Sequence, residues 1–209
     1  MIASKIFLVA HYIDQVVLWL LLVLSVVSLA IIIERFVVLG RIAAMSKKIR
    51  ERVKIALQSH SVDDFEGIAK EVDSFEGRGA AYALRHLKET GSKGVEEVFN
   101  TYALNQKPDL EKFLGFLGTM ASNAPYIGLF GTVLGIMKAF NDLSVSTEAG
   151  SQTVMAGISL ALVATAAGLF VAIPAVMAFN FYNKRVKMIM ISLESVKELC
   201  LAYAKKKGL

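Results

Sequence analysis

Ser122-Asn-Ala-Pro-Tyr-Ile-Gly-Leu-Phe-Gly-Thr-Val-Leu-Gly-Ile-Met-Lys-Ala-Phe140 is the stretch on which the reading of this chain turns. It is apolar at membrane length, carries glycines at 128, 131 and 135, and sets one hydroxyl, Thr132, among them. A lipid-facing anchor has no use for small residues at this spacing. A helix that packs closely on other helices does, because each glycine lets two backbones approach. The segment therefore points to an assembled membrane protein rather than a tethered soluble domain.

Working outward, 55% of the residues are apolar, above the ~45–50% usual in soluble domains. Long uncharged stretches account for the excess: Gln15–Ile33, Phe113–Met137 and Ala149–Asn183. Each meets the roughly 18–20 residues that cross a bilayer core, and backbone groups in lipid must bond internally, so each span is expected to be a helix. A soluble helical bundle is set aside because core helices seldom lack charge for so long. The first stretch is too long for a signal-peptide core and is followed by Glu34-Arg35 rather than a small-residue cleavage site, so it is read as retained.

Charge sets the expected orientation. Arg35, Arg41, Lys47, Lys48, Arg50, Arg52 and Lys54 follow the first span, and Lys184, Arg185, Lys187 and the Lys205-Lys206-Lys207 run follow the third. Cations flanking spans mark the cytoplasmic side, and juxtamembrane charge explains them better than nucleic-acid binding. The expected organisation is an outer-face segment 1–14, a first span 15–33, a cytoplasmic helical section 34–112, a second span 113–137, an outer loop 138–153, a third span 154–183 and a cytoplasmic helical tail 184–209. Residues 1–14 fit either a short interfacial helix or an unordered tail. Within 34–112, Ile42, Met45, Ile49, Val53 and Leu57 recur at helical spacing, so the first helix is expected to continue past the membrane. Ser61-Val-Asp-Asp64 reads as a helix start, and Gly77-Arg-Gly79 and Gly91-Ser-Lys-Gly94 as breaks. Pro108 either kinks a helix or opens the one leading into the second span.

Catalytic and metal chemistry find no support. His11, His60 and His86 lie outside the spans in no ligand spacing, and neither a phosphate-binding glycine loop nor a nucleophile elbow is present. The lone Cys200 reads as an incidental thiol. The expectation is a non-enzyme without metal or cofactor.

The polar residues within the spans say more. Thr119, Ser122, Asn123 and Thr132 lie in the second, Ser159 and Thr165 in the third. Any one hydroxyl can simply bond its own helix at position i−4. Thr132 and Thr165 stand out by depth: at ~1.5 Å rise per residue both fall in the outer half of the membrane. Small residues flank each of them one turn away. No Asp, Glu, Lys, Arg or His occurs inside any span, whereas an ion or proton path normally shows an intramembrane ionisable group. Either this subunit moves no protons, or a partner helix supplies the carboxylate.

The stretch Ala124-Pro-Tyr-Ile-Gly-Leu-Phe-Gly-Thr-Val-Leu-Gly-Ile-Met-Lys-Ala-Phe140 resembles the second-span signature of the TolQ/ExbB proteins. Gly157-Ile-Ser-Leu-Ala-Leu-Val-Ala-Thr-Ala-Ala-Gly-Leu-Phe-Val-Ala-Ile-Pro-Ala-Val-Met-Ala-Phe-Asn180 resembles their third, and Ile31-Ile-Ile-Glu-Arg35 the end of their first. The Pro-Tyr-Ile-Gly and Ala-Val-Met-Ala-Phe-Asn wording is closer to TolQ. The resemblance implies an all-α ring subunit, a homo-pentamer in the bacterial inner membrane with its N-terminus periplasmic and its C-terminus cytoplasmic. A TolR-like or ExbD-like single-span partner would carry the titrating aspartate in the pore. A TolA-like or TonB-like protein would receive the motion, in Tol–Pal or TonB-dependent processes. Thr132 and Thr165 match the pore-lining threonines; Pro125, Gly128, Gly131, Gly135, Gly168 and Pro174 match packing positions. Where the family's motif reads Gly-Ile-Ala-Glu, this chain has Leu160, which removes the ring's own glutamate and leaves the partner's aspartate as the acid. A flagellar-type stator relative would have four spans rather than three; a passive scaffold or a stand-alone channel are the other readings.

Overall fold

The computed structural model describes residues 2–59, 62–145 and 151–208. The elements among them are helices: α1 (Ile2–Gln58), α2 (Asp64–Ala69), α3 (Phe75–Thr90), α4 (Val95–Glu111), α5 (Leu114–Val145) and α6 (Ser151–Lys207). Three of them, α1, α5 and α6, are long and apolar enough to cross a membrane. The chain divides into two compact units, Met1–Ile33 with Phe113–Asn180 and Glu34–Lys112 with Phe181–Leu209.

The first unit is built on small side chains. Its core cluster is Val17 and Leu21 of α1, Ala124 of α5, and Val171 and Ala172 of α6, with Ile127 and Ala167 packed against it. Bulky residues point the other way: Trp19, Tyr126, Phe130, Phe170 and Met177 are exposed on the single chain. Such an inside-out distribution is what a bilayer permits, since lipid is as apolar as leucine and the helices gain most from close backbone contact.

The second unit has a buried core of ordinary protein character, with Leu39, Ile49, Val53, Phe65, Ile68, Leu87, Phe99, Tyr102, Ile189, Val196 and Leu199. α1 continues as one helix to Gln58, as the spacing of its apolar residues predicts. Ile49 and Val53 are buried, but Met45 and Leu57 are exposed, and Ser46 and Ala56 take the inward positions. Ser46 lies inside because it bonds the buried Glu76 carboxylate of α3, and Ser192 of α6 donates to the Ser46 carbonyl at 3.3 Å. Arg52 forks onto Asp64 (3.1 and 2.6 Å) and also pairs with Glu71, tying α1 to α2 and to the turn after it.

Several breaks fall where glycine demands them, and one does not. Gly91 and Gly94 have φ of 81° and 84° and end α3 and start α4, in the left-handed region that side chains avoid. The expected break at Gly77-Arg-Gly79 is corrected: these residues lie inside α3. Ser74 caps the helix by accepting from the Gly77 N–H at 2.9 Å, and a Cβ on Gly77 would sit 2.0 Å from the Glu71 carbonyl oxygen. Glycine is there for space, not for a turn. Pro108 likewise opens no new helix. α4 runs through it to Glu111, and the boundary comes at Phe113, whose φ is 62°. At the helix start predicted for 61–64, α2 begins at Asp64 with Asp63 as its N-cap; Ser61 lies outside the described residues. Residues 2–14 are a continuous part of α1 rather than a separate element, and His60 is outside the described residues.

Cys200 is fully buried, and burial pushes its thiol up to about 12. Tyr203, one turn later, is pushed up to about 12 by its hydrogen bond to Glu66. Both groups hold their protons more tightly folded than unfolded, so their stabilising contribution is complete below their ordinary values and is lost as pH rises through about 12. The melting temperature of the second unit is expected to fall between pH 9.0 and about 12. A Cys200→Ala, Tyr203→Phe double variant, followed by circular dichroism across that range, is expected to lose most of that dependence; an unchanged slope would place its origin elsewhere.

Candidate functional site

The helices α5 and α6 run antiparallel, and the small residues predicted for packing meet along their seam. A Cβ on Gly128 would lie 2.6 Å from the Ala164 carbonyl oxygen and 3.1 Å from the Gly168 Cα, and one on Gly168 would lie 2.6 Å from the Ala124 carbonyl oxygen. One turn further along α5 a Cβ on Gly131 would lie 2.8 Å from the Ala164 Cβ and 2.9 Å from Val17 of α1; one on Gly135 would lie 2.6 Å from the Ala161 Cβ. Further on, a Cβ on Gly157 would lie 2.8 Å from the Ala139 Cβ. Ala124, Ala139, Gly157 and Ala164 were not singled out by the sequence reading, in which Ala161 is one of the small residues flanking Thr165. The available signal was a second small-residue series, on α6, stepping by three or four in reverse order against that of α5.

The two prolines sit within these helices, Pro125 half-buried in α5 and Pro174 exposed in α6. Each removes one backbone donor from its helix.

Thr132 is buried at the centre of the seam. Its hydroxyl lies 3.2 Å from the Gly128 carbonyl on its own helix, 3.3 Å from the Ala161 carbonyl across the seam, and in hydrogen-bond contact with the Thr165 hydroxyl. The structure thus joins the two predicted hydroxyls. Thr119 and Ser122 are exposed and bond only their own helix, to Gly115 and Gly118 at 2.9 and 3.0 Å; Asn123 and Ser159 are also exposed. Close approach of the two helices is what separates Thr132 from these others.

One proton per hydroxyl limits the pair. Carbonyl oxygens only accept. When Thr132 donates to a carbonyl, the Thr132–Thr165 bond must carry the Thr165 proton, and the Thr165 oxygen keeps lone pairs free on its half-exposed side. When Thr132 donates to Thr165, the Thr165 proton is released to point outward. The pair therefore presents either an acceptor or a donor, by rotation of two hydroxyls.

Leu160, at the departure position, is 59% exposed. It lines a cavity of about 260 Å3 with Gln15, Leu18, Gly131, Gly135, Lys138, Asp142, Ala161 and Ala164. Lys138 and Asp142 lie beyond the apolar stretch of α5. Among the described residues, no cluster of three or more His, Cys, Asp or Glu side chains is placed to hold a metal.

The arrangement defines an integral-membrane helix assembly whose spans carry hydroxyls and small residues but no acid. Comparison with known proteins assigns it. A family model described as the MotA/TolQ/ExbB proton channel family matches residues 71–195, and the chain belongs to that family. It is 36% identical over 195 residues to the Tol-Pal system protein TolQ of Haemophilus influenzae, covering 88% of this chain and 85% of that protein. It is 30% identical over 190 residues to the biopolymer transport protein ExbB of Neisseria meningitidis, covering 85% of each. A shorter match, 57% over 72 residues, covers 34% of this chain and 50% of the Helicobacter pylori ExbB.

Proposed function

We propose that this chain is the inner-membrane ring subunit of a motor driven by the proton-motive force, working around a TolR-like or ExbD-like partner with a single span. The observation that carries the reading is the Thr132–Thr165 hydroxyl pair on a seam that has no acid of its own. A partner aspartate facing Thr165 would be met by an acceptor when protonated and, after two hydroxyl rotations, by a donor when ionised. The bond to the ionised carboxylate contributes roughly 1.5–3 kcal/mol and the bond from the neutral acid about 0.5–1.5 kcal/mol, enough to favour each protonation state in its turn without trapping it. Each proton crossing ~100 mV releases about 2.3 kcal/mol, the supply from which motion in the partner is drawn.

In this reading residues 34–112 and 184–209 are cytoplasmic, residues 138–153 are periplasmic, and Gly128, Gly131, Gly135 and Gly168, with the half-buried Pro125, hold the wall together, while the exposed Pro174 takes no part in this packing. Several copies form the ring, and a TolA-like or TonB-like protein takes up the output. The higher identity to the TolQ relative over a similar length, 36% against 30%, favours a Tol–Pal role over a TonB-dependent one.

The test is proton uptake into vesicles under an imposed gradient. Uptake is expected only when the chain is reconstituted with a co-expressed single-span partner, and is expected to vanish when the partner's intramembrane aspartate becomes asparagine. Uptake by the chain alone would make it a stand-alone channel. No uptake with the partner present would leave it a scaffold.

A further inference from the structure

We propose that Arg185, with Phe181, Phe36 and Gly40, forms a binding site for the phosphate of an anionic phospholipid in the inner leaflet. The inference rests on the reading above that residues 34 and 184 begin the cytoplasmic segments.

Arg185 is the second charged residue after the third apolar stretch, following Lys184. Its guanidinium carbon lies 4.4 Å from the centroid of the Phe181 ring, one turn back on α6, and 5.7 Å from that of Phe36 on α1. A delocalised planar cation is held well by ring faces. One turn beyond Phe36, α1 has Gly40, where a Cβ would lie 3.4 Å from Arg185 Nη1. Bare backbone leaves the guanidinium room to lie against α1. The head group is therefore positioned from three sides before any ligand arrives, which lowers the ordering cost of binding.

Its charge is left unanswered by protein. No carboxylate lies within ion-pair distance of Arg185 among the described residues. The nearest acid in sequence on α1, Glu34, is engaged by Arg35 at 2.5 Å. No Asp or Glu occurs from Arg35 to Arg50 or from Phe181 to Leu193, while Arg41, Lys184 and Lys187 are exposed there. Phe36 and Phe181 are 58% and 44% exposed. A planar fork for a phosphate beside rings open to hydrocarbon matches a phospholipid, whose head and chain join at that point, better than it matches a free anion.

Native mass spectrometry of the full chain, released from detergent doped with phosphatidylglycerol or phosphatidylcholine, tests the site. Wild type is expected to retain phosphatidylglycerol selectively. Arg185→Gln is expected to weaken retention about tenfold. Gly40→Leu, which keeps every charge but fills the space under the guanidinium, is expected to do the same, whereas Lys205→Gln at the far end of α6 changes little. Undiminished selectivity in both Arg185→Gln and Gly40→Leu would overturn the site. Glycerol phosphate competing as well as the lipid would overturn the lipid as its occupant. A cysteine placed at Lys187 in a Cys200→Ala background is expected to react with an impermeant thiol reagent from the inner face only. Reaction from the outer face alone would overturn the leaflet and the orientation beneath it, even with the selectivity intact.

Discussion

Gly128→Val is expected to prevent assembly of the membrane unit, while Gly115→Val on the same helix leaves it folded. The two positions share residue type and helix; Gly128 is buried, Gly115 is exposed, and they differ in what a side chain would meet. At Gly128 the nearest atoms are the Ala164 carbonyl oxygen at 2.6 Å and the Gly168 and Thr165 Cα atoms at 3.1 Å; at Gly115 nothing lies within 4 Å. Backbone cannot rotate aside as a flexible side chain can. The helices would have to separate, and separation loosens the contacts at Gly131, Gly135 and Gly157 as well. Overpacking costs roughly 1–3 kcal/mol where neighbours adjust, and more here because rigid backbone is the neighbour. Size-exclusion profiles and melting of the detergent-solubilised variants read the difference. A Gly128→Val protein that migrates and melts like Gly115→Val would contradict the packing described.

Thr132→Val and Thr165→Val are expected to keep assembly and lose proton uptake with the partner. Valine has the shape of threonine without the hydroxyl. The stability lost is that of a hydrogen bond, about 0.5–1.5 kcal/mol, within reach of a unit held along its whole seam. Transport is another matter. Without Thr165 no hydroxyl is left on the half-exposed side; without Thr132 the Thr165 hydroxyl loses the buried partner that sets its two orientations, and uptake is expected to fall to background in either variant. Thr165→Ser, which keeps the hydroxyl, is expected to retain a large part of it. Full uptake in both valine variants would remove these residues from the proton path, and loss of assembly in both would make them structural.

The membrane elements were legible because they depend on composition. Uncharged runs of that length leave a helix few alternatives, and α1, α5 and α6 contain them. The hydroxyl pair was legible as well, since depth and small neighbours depend only on spacing. What escaped were features set by contacts distant in sequence. Gly77 looks like a breaker, and only the Glu71 carbonyl 2.0 Å from where its Cβ would be explains why it lies inside α3. Ser46 and Glu76 sit in a charged segment that reads as solvated, yet both are fully buried and bonded to each other. Phe113 has no local signal for its φ of 62°; Pro108, five residues earlier, drew the attention instead.

The seam between α5 and α6 also constrains how this sequence can drift. At Gly128 and Gly168 its contacts are made by Cα atoms and backbone oxygens, which every amino acid supplies, so selection at these two positions can act only by forbidding bulk. There a change toward a larger residue on one helix has no compensating change on the other, because Gly128 and Gly168 face each other and glycine cannot be made smaller. The outward faces with Tyr126, Phe130, Phe170 and Met177 face no such limit. Divergence among descendants of this chain is therefore steered to the outward surfaces, and new partners can be acquired there while the inner wall stays unaltered.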